Sequence, residues 1–387
     1  MSISLKIKTA FLSVLLICSV SLSAQKPPVM GWSSWNHFHI NIDEKMIREQ
    51  ADALIQSGMY DAGYRYINID DGYFGGRDAD GNLLIDTRKF PSGMRALTDY
   101  IHSKKLKAGI YSDAGKNTCG SKYDNDPNGI GVGMYGHVEQ DCYLFFNEWK
   151  FDFLKVDWCG GNWMNLDEET EYTKIIRTVK AIDPDIVFNI CRWQFPGEWA
   201  IKLSDSWRIS GDIRENFSSI LEIIDLNADL HKYASAGHYN DMDMLQVGRG
   251  MTYDEDKTHF SMWCMMNSPL LAGNDLRNMS KETIEILTNK ELIALNQDIG
   301  FKQAQRYSRE GNVEIWVKKL GKNGKSIAVA LMNRGGKEET IDLTPNKIGM
   351  SEKSSLRDLW EHKNIGKLGK SRSFTIPKHG IVVLKAK

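Results

Sequence analysis

Aspartate residues close several of the apolar runs in this 387-residue sequence, and they are the first candidates for chemistry. The acidic positions are Asp70, Asp71, Asp113, Asp157, Asp212, Asp241 and Asp243, and the aromatic residues Trp35 and Tyr111 occupy comparable positions. A cluster of carboxylates and aromatic rings suits two kinds of site. Several acids could surround one hard cation, as the Asp241-x-Asp243 spacing allows. Alternatively, two acids could hydrolyse a glycosidic bond while the others hold sugar hydroxyls.

No histidine accompanies the acids at these positions, which weakens the interpretation as a transition-metal site. The chain also contains 11 Trp and 14 Tyr, whose flat rings can stack on the apolar faces of sugars, although such rings also fill ordinary cores. The residues alone therefore favour sugar chemistry over metal-dependent hydrolysis and leave both open. No cofactor is implied.

These acids can act together only if the elements that carry them end side by side. Extended apolar runs predict strands at 29–35, 64–70, 106–113, 151–157, 186–191, 206–210, 238–243 and 269–275. Apolar residues at helical spacing lie between several of them, at 44–57, 94–104, 169–182, 218–234 and 281–296. This alternation predicts an α/β fold, a closed parallel (β/α)8 TIM barrel over residues 25–298. The active sites of such barrels lie at the carboxyl ends of the strands, where these acids fall.

Beyond Asp298 the pattern changes to short extended runs separated by turns rich in Gly, Asn and Lys. Strands are predicted at 313–318, 326–332, 339–343 and 380–384, with no strong helical pattern between them. Residues 299–387 are therefore predicted to form a C-terminal antiparallel β-sandwich domain.

The composition narrows the class of partner. Apolar residues make up 42% and charged residues 26% of the chain, so a large core can be buried. The 50 acidic and 49 basic residues leave a formal net charge of −1, so we expect no nucleic-acid partner.

Residues 1–24 have the order of a secretory signal peptide. Lys6 and Lys8 precede an apolar run at 10–20, and small residues follow up to Ala24. The signal peptide predicts an exported protein, periplasmic or secreted. Since the apolar run is too short to span a bilayer comfortably, we expect no permanent membrane span.

The mature chain keeps Cys119, Cys142, Cys159, Cys191 and Cys264. Their spacing does not fit a zinc site, and their odd number leaves at least one free thiol.

The motifs around the acids resemble one known family. They are MGWSSWN at 30–36, IDDG at 69–72, GIYSD at 109–113, LKVD at 154–157, WRISGD at 207–212, NDMDM at 240–244 and NDLR at 274–277. These motifs, in this order and followed by a sandwich, resemble the melibiase family, glycoside hydrolase family 27, which contains α-galactosidases and α-N-acetylgalactosaminidases. The resemblance implies a retaining, exo-acting α-galactosidase whose substrates are α-galactosyl oligosaccharides or polysaccharides.

The resemblance further implies that Asp157 is the nucleophile and Asp212 the general acid and base of a double displacement. Two displacements at one centre retain the configuration, and the two carboxyl groups of such enzymes lie about 5–6 Å apart. We expect Lys155 to keep Asp157 ionised, whereas Asp212 must hold its proton in the free enzyme.

Other matched positions carry binding functions in the family. By resemblance, Asp70 and Asp71 accept hydrogen bonds from the axial 4-hydroxyl and the 6-hydroxyl of galactose. Lys155 would reach the 3- or 4-hydroxyl, and Arg208 the 2-hydroxyl. Asp71 has an alternative interpretation as a structural acid that binds loop amides.

The resemblance also implies the walls of the site. Trp35 would offer a stacking face, and Tyr111 and Asp243 would complete the wall around the sugar. Cys119 and Cys159 match a disulfide pair at the edge of the site in family members.

One position departs from the family pattern. Family α-galactosidases have Glu or Asn where this chain has Arg192, and that side chain approaches the sugar 2-hydroxyl. Because arginine donates and cannot accept, either Arg192 binds the 2-position differently or it points outward and leaves Arg208 as the only donor. Arg192 and Phe195 are large, which argues against an acetamido substrate. The family partner of Cys191 is replaced near Ser204, so we expect Cys191 to be free.

Three alternatives remain for the function. The nearest is a β-L-arabinopyranosidase of the same fold and mechanism, which has a longer acid at the position of Asp70. The second is a non-catalytic carbohydrate-binding barrel, against which the presence of both Asp157 and Asp212 argues. The third is a metal-dependent hydrolase.

Overall fold

A computed structural model describes residues 26–387, so the predicted signal peptide at 1–24 lies outside the described residues. Within that range, parallel strands form one eight-stranded sheet that curls into a barrel. The strands are β1 (Met30–Ser33), β2 (Tyr66–Asn68), β3 (Lys107–Asp113), β4 (Phe153–Asp157), β5 (Val187–Cys191), β6 (Ser206–Arg208), β7 (Tyr239–Asp241) and β8 (Leu270–Ala272). Strand β8 pairs with β1, and a parallel bridge between Leu245, just after β7, and Ala272 closes the circle. The predicted (β/α)8 barrel is confirmed, and each predicted strand contains one observed strand.

Helices connect the strands around the outside of the barrel. The longer ones are Glu44–Gln56, Gly93–Ser103, Val138–Tyr143, Glu168–Ile182, Phe217–Asn227, Tyr253–Met265, Lys281–Leu287 and Lys290–Asn296, and a π-helical segment, Leu144–Glu148, follows the third. Short helices are Trp35–Phe38, Met59–Ala62, Gly120–Tyr123 and Cys159–Trp163, and 3-10 turns are Pro127–Gly129, Ala200–Lys202, Leu230–Lys232, Leu276–Asn278 and Pro345–Lys347. A hairpin of Phe74–Arg77 and Leu83–Ile85 follows β2.

Side-chain caps set where several of these helices begin. Asp43 accepts a hydrogen bond from the amide of Met46 at 2.7 Å, and Asp167 accepts one from the amide of Thr170 at 2.9 Å. Such caps satisfy amides that have no partner inside the helix. The same chemistry explains one wrong prediction, the single helix at 281–296. Asn289 caps a second helix by accepting from the amides of Glu291 and Leu292, so the chain turns there.

The helix Tyr253–Met265 was not predicted from the sequence. Its residues 258–265 are buried on every side, between the barrel and the C-terminal domain. A helix that is enclosed all round has no alternation of apolar and polar faces, so the periodicity used for prediction is absent.

The C-terminal part is a β-sandwich, as predicted. Its strands are Gln305–Glu310, Val313–Leu320, Ser326–Asn333, Ser355–Asp358, Lys363–Lys367 and Ile381–Ala386 in one antiparallel sheet, with Glu339–Leu343 and Arg372–Ile376 as a second pair. The strands Gln305–Glu310 and Lys363–Lys367 are largely exposed and polar, so they lack the apolar alternation by which strands are predicted. The two layers enclose their own apolar core, which includes Ile315, Val329 and Leu384.

The sandwich packs closely on the barrel. Trp316 and Trp360 belong to the main apolar core, and the indole nitrogen of Trp360 donates to the Ser261 hydroxyl at 3.0 Å. The buried Lys318 ammonium donates to the carbonyl oxygen of Met265 at 3.1 Å and also reaches Asn267. Lys318 therefore caps the carboxyl end of the helix Tyr253–Met265 from the neighbouring domain.

We predict that the stability of Lys318→Met relative to the wild type falls by about 2–3 kcal/mol between pH 6 and pH 9. Burial lowers the pKa of Lys318 to about 7, so at pH 6 the folded wild type holds an ammonium that is costly to bury, whereas at pH 9 it holds a neutral amine. The variant has no such group and therefore escapes this cost at pH 6. Chemical denaturation at both pH values, followed by tryptophan fluorescence, measures the change. Lys319→Met is the matched control, since Lys319 is the exposed neighbour on the same strand. Equal shifts with pH in the two variants would contradict the prediction.

Candidate active site

The register of the barrel strands brings the predicted site residues together. In the β3–β4 pair, Tyr111 lies beside Lys155 and Asp113 beside Asp157. Residues two positions apart on a strand point to the same side, so Lys155 and Asp157 both face the barrel interior. Asp70 lies two residues after the end of β2, and Arg208 ends β6. Acids and bases that are distant in sequence therefore converge at one end of the barrel.

A cavity of about 500 Å³ opens at this carboxyl end of the strands, which is within the usual size range of ligand pockets. Its lining includes the predicted residues Trp35, Asp70, Tyr111, Lys155, Asp157, Arg208, Asp212 and Asp243, together with Cys119 and Cys159. The two other predicted binding residues, Asp71 and Arg192, do not line it.

Asp157, Asp70 and Lys155 form the buried floor of the cavity. The ammonium of Lys155 donates to Asp70 Oδ2 at 2.8 Å, and Asp157 Oδ1 accepts from the Trp158 amide at 3.0 Å. The Lys155 ammonium also lies 5.3 Å from the centre of the Tyr111 ring. Although burial alone would lower the pKa of Lys155, the adjacent Asp70 raises it well above its ordinary value. The floor therefore carries a permanent positive charge between two acids.

Arg208 organises the opposite side of the cavity. Its guanidinium contacts Asp243 Oδ2 at 2.8 Å and Asp212 Oδ1 at 3.1 Å. Asp243 is buried, whereas 71% of the Asp212 side chain is exposed. Asp243 has a positive φ of 75°, and its carboxylate accepts from the amides of Ile213 and Met244. Such strained backbone is common at functional sites.

The protonation order of the two candidate catalytic acids is the reverse of the order expected from the sequence. Burial raises the pKa of Asp157 to about 7, although Lys155 acts in the other direction. Desolvation also acts to raise the pKa of Asp212, but Arg208 and then Lys155 outweigh it and lower the pKa. The reason is that Lys155 pairs with Asp70 and Arg208 pairs with Asp212. Below about pH 7, Asp157 is therefore the protonated acid and Asp212 the ionised acid of the free protein.

The loops after β3 and β4 are joined at the edge of the cavity. The carboxylate of Asp113 accepts from the amides of Gly115 at 2.6 Å and Gly160 at 3.0 Å. A Cβ atom on Gly115 would lie 2.0 Å from the carbonyl carbon of Gly160, so only glycine permits this approach. Cys119 and Cys159 form the disulfide that the resemblance implied, with their Cα atoms 5.2 Å apart. Two adjacent walls of the cavity are thereby fixed to each other.

Two of the predicted binding residues, Asp71 and Arg192, form contacts within the protein outside the cavity. Asp71 is fully buried, and its carboxylate accepts from the amides of Gly72 at 2.8 Å and Gly120 at 2.8 Å. This corresponds to its alternative interpretation as a structural acid. Arg192 points away from the cavity, because its Nε donates to Glu168 Oε2 at 2.7 Å. Its guanidinium carbon lies 5.6 Å from the centre of the Trp193 ring, so Arg192 supports a residue that does line the cavity.

Several further lining residues were missed by the sequence reasoning. They include Asn36, His39, Tyr123, Asp124, Trp193, Glu215 and Gln246. Most lie a few residues beyond a strand end, in loops whose path the sequence pattern does not define. Among the described residues, Asn36 Nδ2, Gln246 Oε1 and Arg208 Nε are buried and have no protein partner. Buried polar atoms normally form hydrogen bonds, so these atoms are available to a ligand.

Cys191 lines the cavity and, among the cysteines of residues 26–387, is free together with Cys142 and Cys264. It ends β5 beside Asp157, and Arg208 approaches its sulfur at 3.7 Å. Burial raises the pKa of its thiol well above the ordinary value. Cys191 is therefore a buried thiol in the wall of the site.

In the part of the chain that the structure describes, the cavity acids do not converge as a set of metal ligands. Within residues 26–387, one set of three candidate ligands converges, Asp113 with Cys119 and Cys159, and the disulfide occupies both sulfurs. The cavity acids pair with Arg208 and Lys155 instead. In the same range, no helix has the length and apolar character required to cross a membrane.

Comparison with known proteins agrees with the fold. The profile described as alpha galactosidase A matches residues 27–298, and the profile of the alpha galactosidase C-terminal beta sandwich domain matches residues 310–386. The chain therefore belongs to the melibiase family, glycoside hydrolase family 27, and is a glycoside hydrolase.

Individual relatives span nearly the whole chain. Alpha-galactosidase A of Cellvibrio japonicus is 42% identical over 401 aligned residues, which cover 96% of each protein. The crystal structure of alpha-galactosidase I from Mortierella vinacea is 31% identical with a TM-score of 0.86, covering 93% of this chain and 96% of that one. The α-galactosidase of Saccharomyces cerevisiae with raffinose is 26% identical with a TM-score of 0.83, covering 93% and 97%.

The raised pKa of Asp157 predicts a pH-dependent cost in stability. Between pH 3.8 and about 7, the Asp157 carboxyl is protonated in the folded protein but ionised in the unfolded chain. The free energy of unfolding therefore falls as the pH rises through that range. Asp157→Asn should therefore unfold with a free energy higher than that of the wild type by about 2–4 kcal/mol at pH 8. At pH 5 most of the difference should disappear.

Denaturation of both proteins at the two pH values measures the effect. Asp212→Asn provides a control of opposite sign. The pKa of Asp212 is lowered, so its charge contributes stability above its ordinary pKa and the variant should be less stable at pH 8. An Asp157→Asn protein that is no more stable than wild type at pH 8 would contradict the assigned protonation.

Proposed function

We propose that this glycoside hydrolase is a retaining, exo-acting α-galactosidase that removes terminal α-D-galactosyl residues from oligosaccharides or polysaccharide side chains. The observation that carries the proposal is the pairing of a buried carboxyl, Asp157, with an exposed one, Asp212, in one cavity. Retaining glycosidases use two such carboxyl groups, one as nucleophile and one as acid and base. The relatives named as α-galactosidases support the choice of sugar.

In the proposed first step, Asp157 attacks the anomeric carbon and forms a covalent glycosyl-enzyme, while Asp212 protonates the departing oxygen. The buried position of Asp157 keeps water away from the nucleophile. The exposed position of Asp212 suits a group that must meet first the leaving oxygen and then a water molecule. In the second step Asp212 deprotonates that water, which releases the sugar with its configuration retained.

This mechanism requires the proton to move from Asp157 to Asp212 when substrate binds. A bound sugar would cover the exposed Asp212 carboxyl, and desolvation raises the pKa of a carboxylic acid. A sugar hydroxyl that takes a hydrogen bond from Arg208 would also weaken the contact of Arg208 with Asp212. Both changes favour protonated Asp212 and ionised Asp157, so the sugar itself completes the catalytic arrangement.

We assign the sugar contacts to the groups that reach the cavity. Asp70 and Lys155 on the floor would bind the 4-hydroxyl and its neighbour, and Arg208 would donate to the 2-hydroxyl. Trp35, Tyr111 and Asp243 would form the walls. Asp71 would act through the loop amides it holds, and Arg192 would act only through Trp193.

We propose an exported location as well. The predicted signal peptide suggests it, and the Cys119–Cys159 disulfide supports it, since disulfides persist in oxidising compartments.

Hydrolysis of p-nitrophenyl α-D-galactopyranoside tests the function directly. It should exceed hydrolysis of p-nitrophenyl β-L-arabinopyranoside and N-acetyl-α-D-galactosaminide, and a chelator should not change it. A preference for the arabinopyranoside would keep the two catalytic acids but overturn the assignment for Asp70. Loss of activity with the chelator would favour the metal-dependent alternative. Cleavage of none of the three would favour the non-catalytic alternative.

The two acids should respond differently to substitution. Asp157→Ala should lose about 10⁴-fold or more in kcat, as expected when a catalytic nucleophile is removed. Asp212→Ala should retain far more activity on a p-nitrophenyl galactoside than on raffinose, because a phenolate leaves with little protonation. Steady-state kinetics with both substrates measures the contrast. Equal losses of Asp212→Ala on both substrates would contradict its assignment as the acid.

A further inference from the structure

An exposed aromatic ring stands at the rim of the catalytic cavity. Tyr123 lines the cavity, yet its exposed fraction is 65%, in contrast to the buried Tyr111 deeper inside. An apolar ring that remains open to water at a binding site is available for a ligand to cover.

The structure holds Tyr123 in a defined position. It ends the short helix Gly120–Tyr123, which begins next to Cys119, and the Tyr123 amide donates to the Cys119 carbonyl oxygen at 3.0 Å. The amide of Asp126 returns to the carbonyl oxygen of Gly120 at 3.0 Å, so the loop that follows is closed on the helix. The disulfide from Cys119 fixes this helix to the wall that contains the nucleophile. Hydrogen bonds and the disulfide therefore fix the position of the backbone that carries the Tyr123 ring.

A second ring lies beside Tyr123. Trp163 ends the helix Cys159–Trp163, and the two ring centres are 6.3 Å apart with planes inclined at 51°. One helix begins directly after Cys119 and the other begins at Cys159, so the disulfide links the two helices that carry these rings. The ammonium of Lys122 lies 5.2 Å from the centre of the Trp163 ring.

A polar group accompanies the Tyr123 ring on the cavity side. Asp124 also lines the cavity, and its carboxylate is oriented by His39 Nδ1 at 3.2 Å. The His39 ring in turn lies 5.0 Å from the Trp35 ring. An aromatic face next to an oriented carboxylate can bind both surfaces of a sugar, its apolar C–H face and its hydroxyl edge.

We propose that Tyr123, with Asp124 beside it, forms the subsite for the leaving group, and that this leaving group is a pyranose ring stacked on Tyr123. The inference rests on the proposed function. In an α-galactosidase, the buried floor groups Asp70, Lys155 and Asp157 would hold the terminal galactosyl unit. The part of the substrate beyond the scissile bond must pass through the mouth, where Tyr123 stands. The enzyme is thereby matched to saccharide aglycones.

The test compares kcat/KM for raffinose with kcat/KM for α-D-galactosyl fluoride, whose fluoride leaving group is too small to reach the rim. Tyr123→Ala should lower the raffinose-to-fluoride ratio by about 5- to 10-fold, the order of one lost stacking contact. Tyr123→Phe keeps the ring and should keep the ratio. Tyr143→Ala removes another tyrosine, 56% exposed, that does not line the cavity, and should leave the ratio unchanged.

An unchanged ratio in Tyr123→Ala, or equal losses on both substrates, would overturn the subsite. A loss caused by Tyr143→Ala as large as that of Tyr123→Ala would overturn it too, since a ring outside the cavity would then matter equally. If the wild-type protein hydrolyses neither substrate, the proposed α-galactosidase function fails, and the subsite assignment fails with it. A wild type active on the fluoride with a ratio insensitive to Tyr123 refutes the subsite alone.

Discussion

Crowded negative charge is the physical constraint on which the rest of this structure depends. Parallel strands end at one rim of the barrel, so the side chains of Asp70, Asp157 and Asp243 meet in a cavity that excludes much of the water. Like charges repel strongly there, and each buried acid loses hydration. Lys155 on β4 and Arg208 on β6 compensate this charge, with contacts of 2.8 Å to Asp70 and Asp243. The cavity can exist because these two cations are built into its walls.

The two cations do not neutralise all the cavity acids equally, and this difference is useful for catalysis. Both cations are engaged by other acids, so Asp157 remains a buried carboxyl with a raised pKa, while Asp212 lies exposed beside Arg208. Two carboxyl groups with different environments can perform different steps of one reaction. Below about pH 7, the free protein therefore carries a proton on Asp157, the acid proposed as nucleophile. The proposed mechanism therefore gives the bound sugar a part in setting the protonation state, which disfavours reaction in its absence.

The surrounding fold keeps this arrangement rigid and leaves its mouth open. Asp113 and the glycine contact join the loops after β3 and β4, and the disulfide links the helices that follow them. The C-terminal sandwich supports the barrel from another side, where Lys318 caps a helix that is buried all round. Rigid walls position the floor groups for one terminal sugar. Exposed rings at the rim can then select what is attached to that sugar.

The order of elements and the identity of the cavity acids could be predicted from the sequence, because strand ends, aspartates and motifs are local features of the chain. All eight barrel strands were predicted in this way, and so was the pairing of Cys119 with Cys159, through the family resemblance. The direction of the Arg192 side chain depended on Glu168, and the burial of Asp71 depended on amides from another loop. The protonation order depended on which acid each cation reaches. Those outcomes were decided by tertiary structure, since charge and desolvation act through space between residues that the sequence separates.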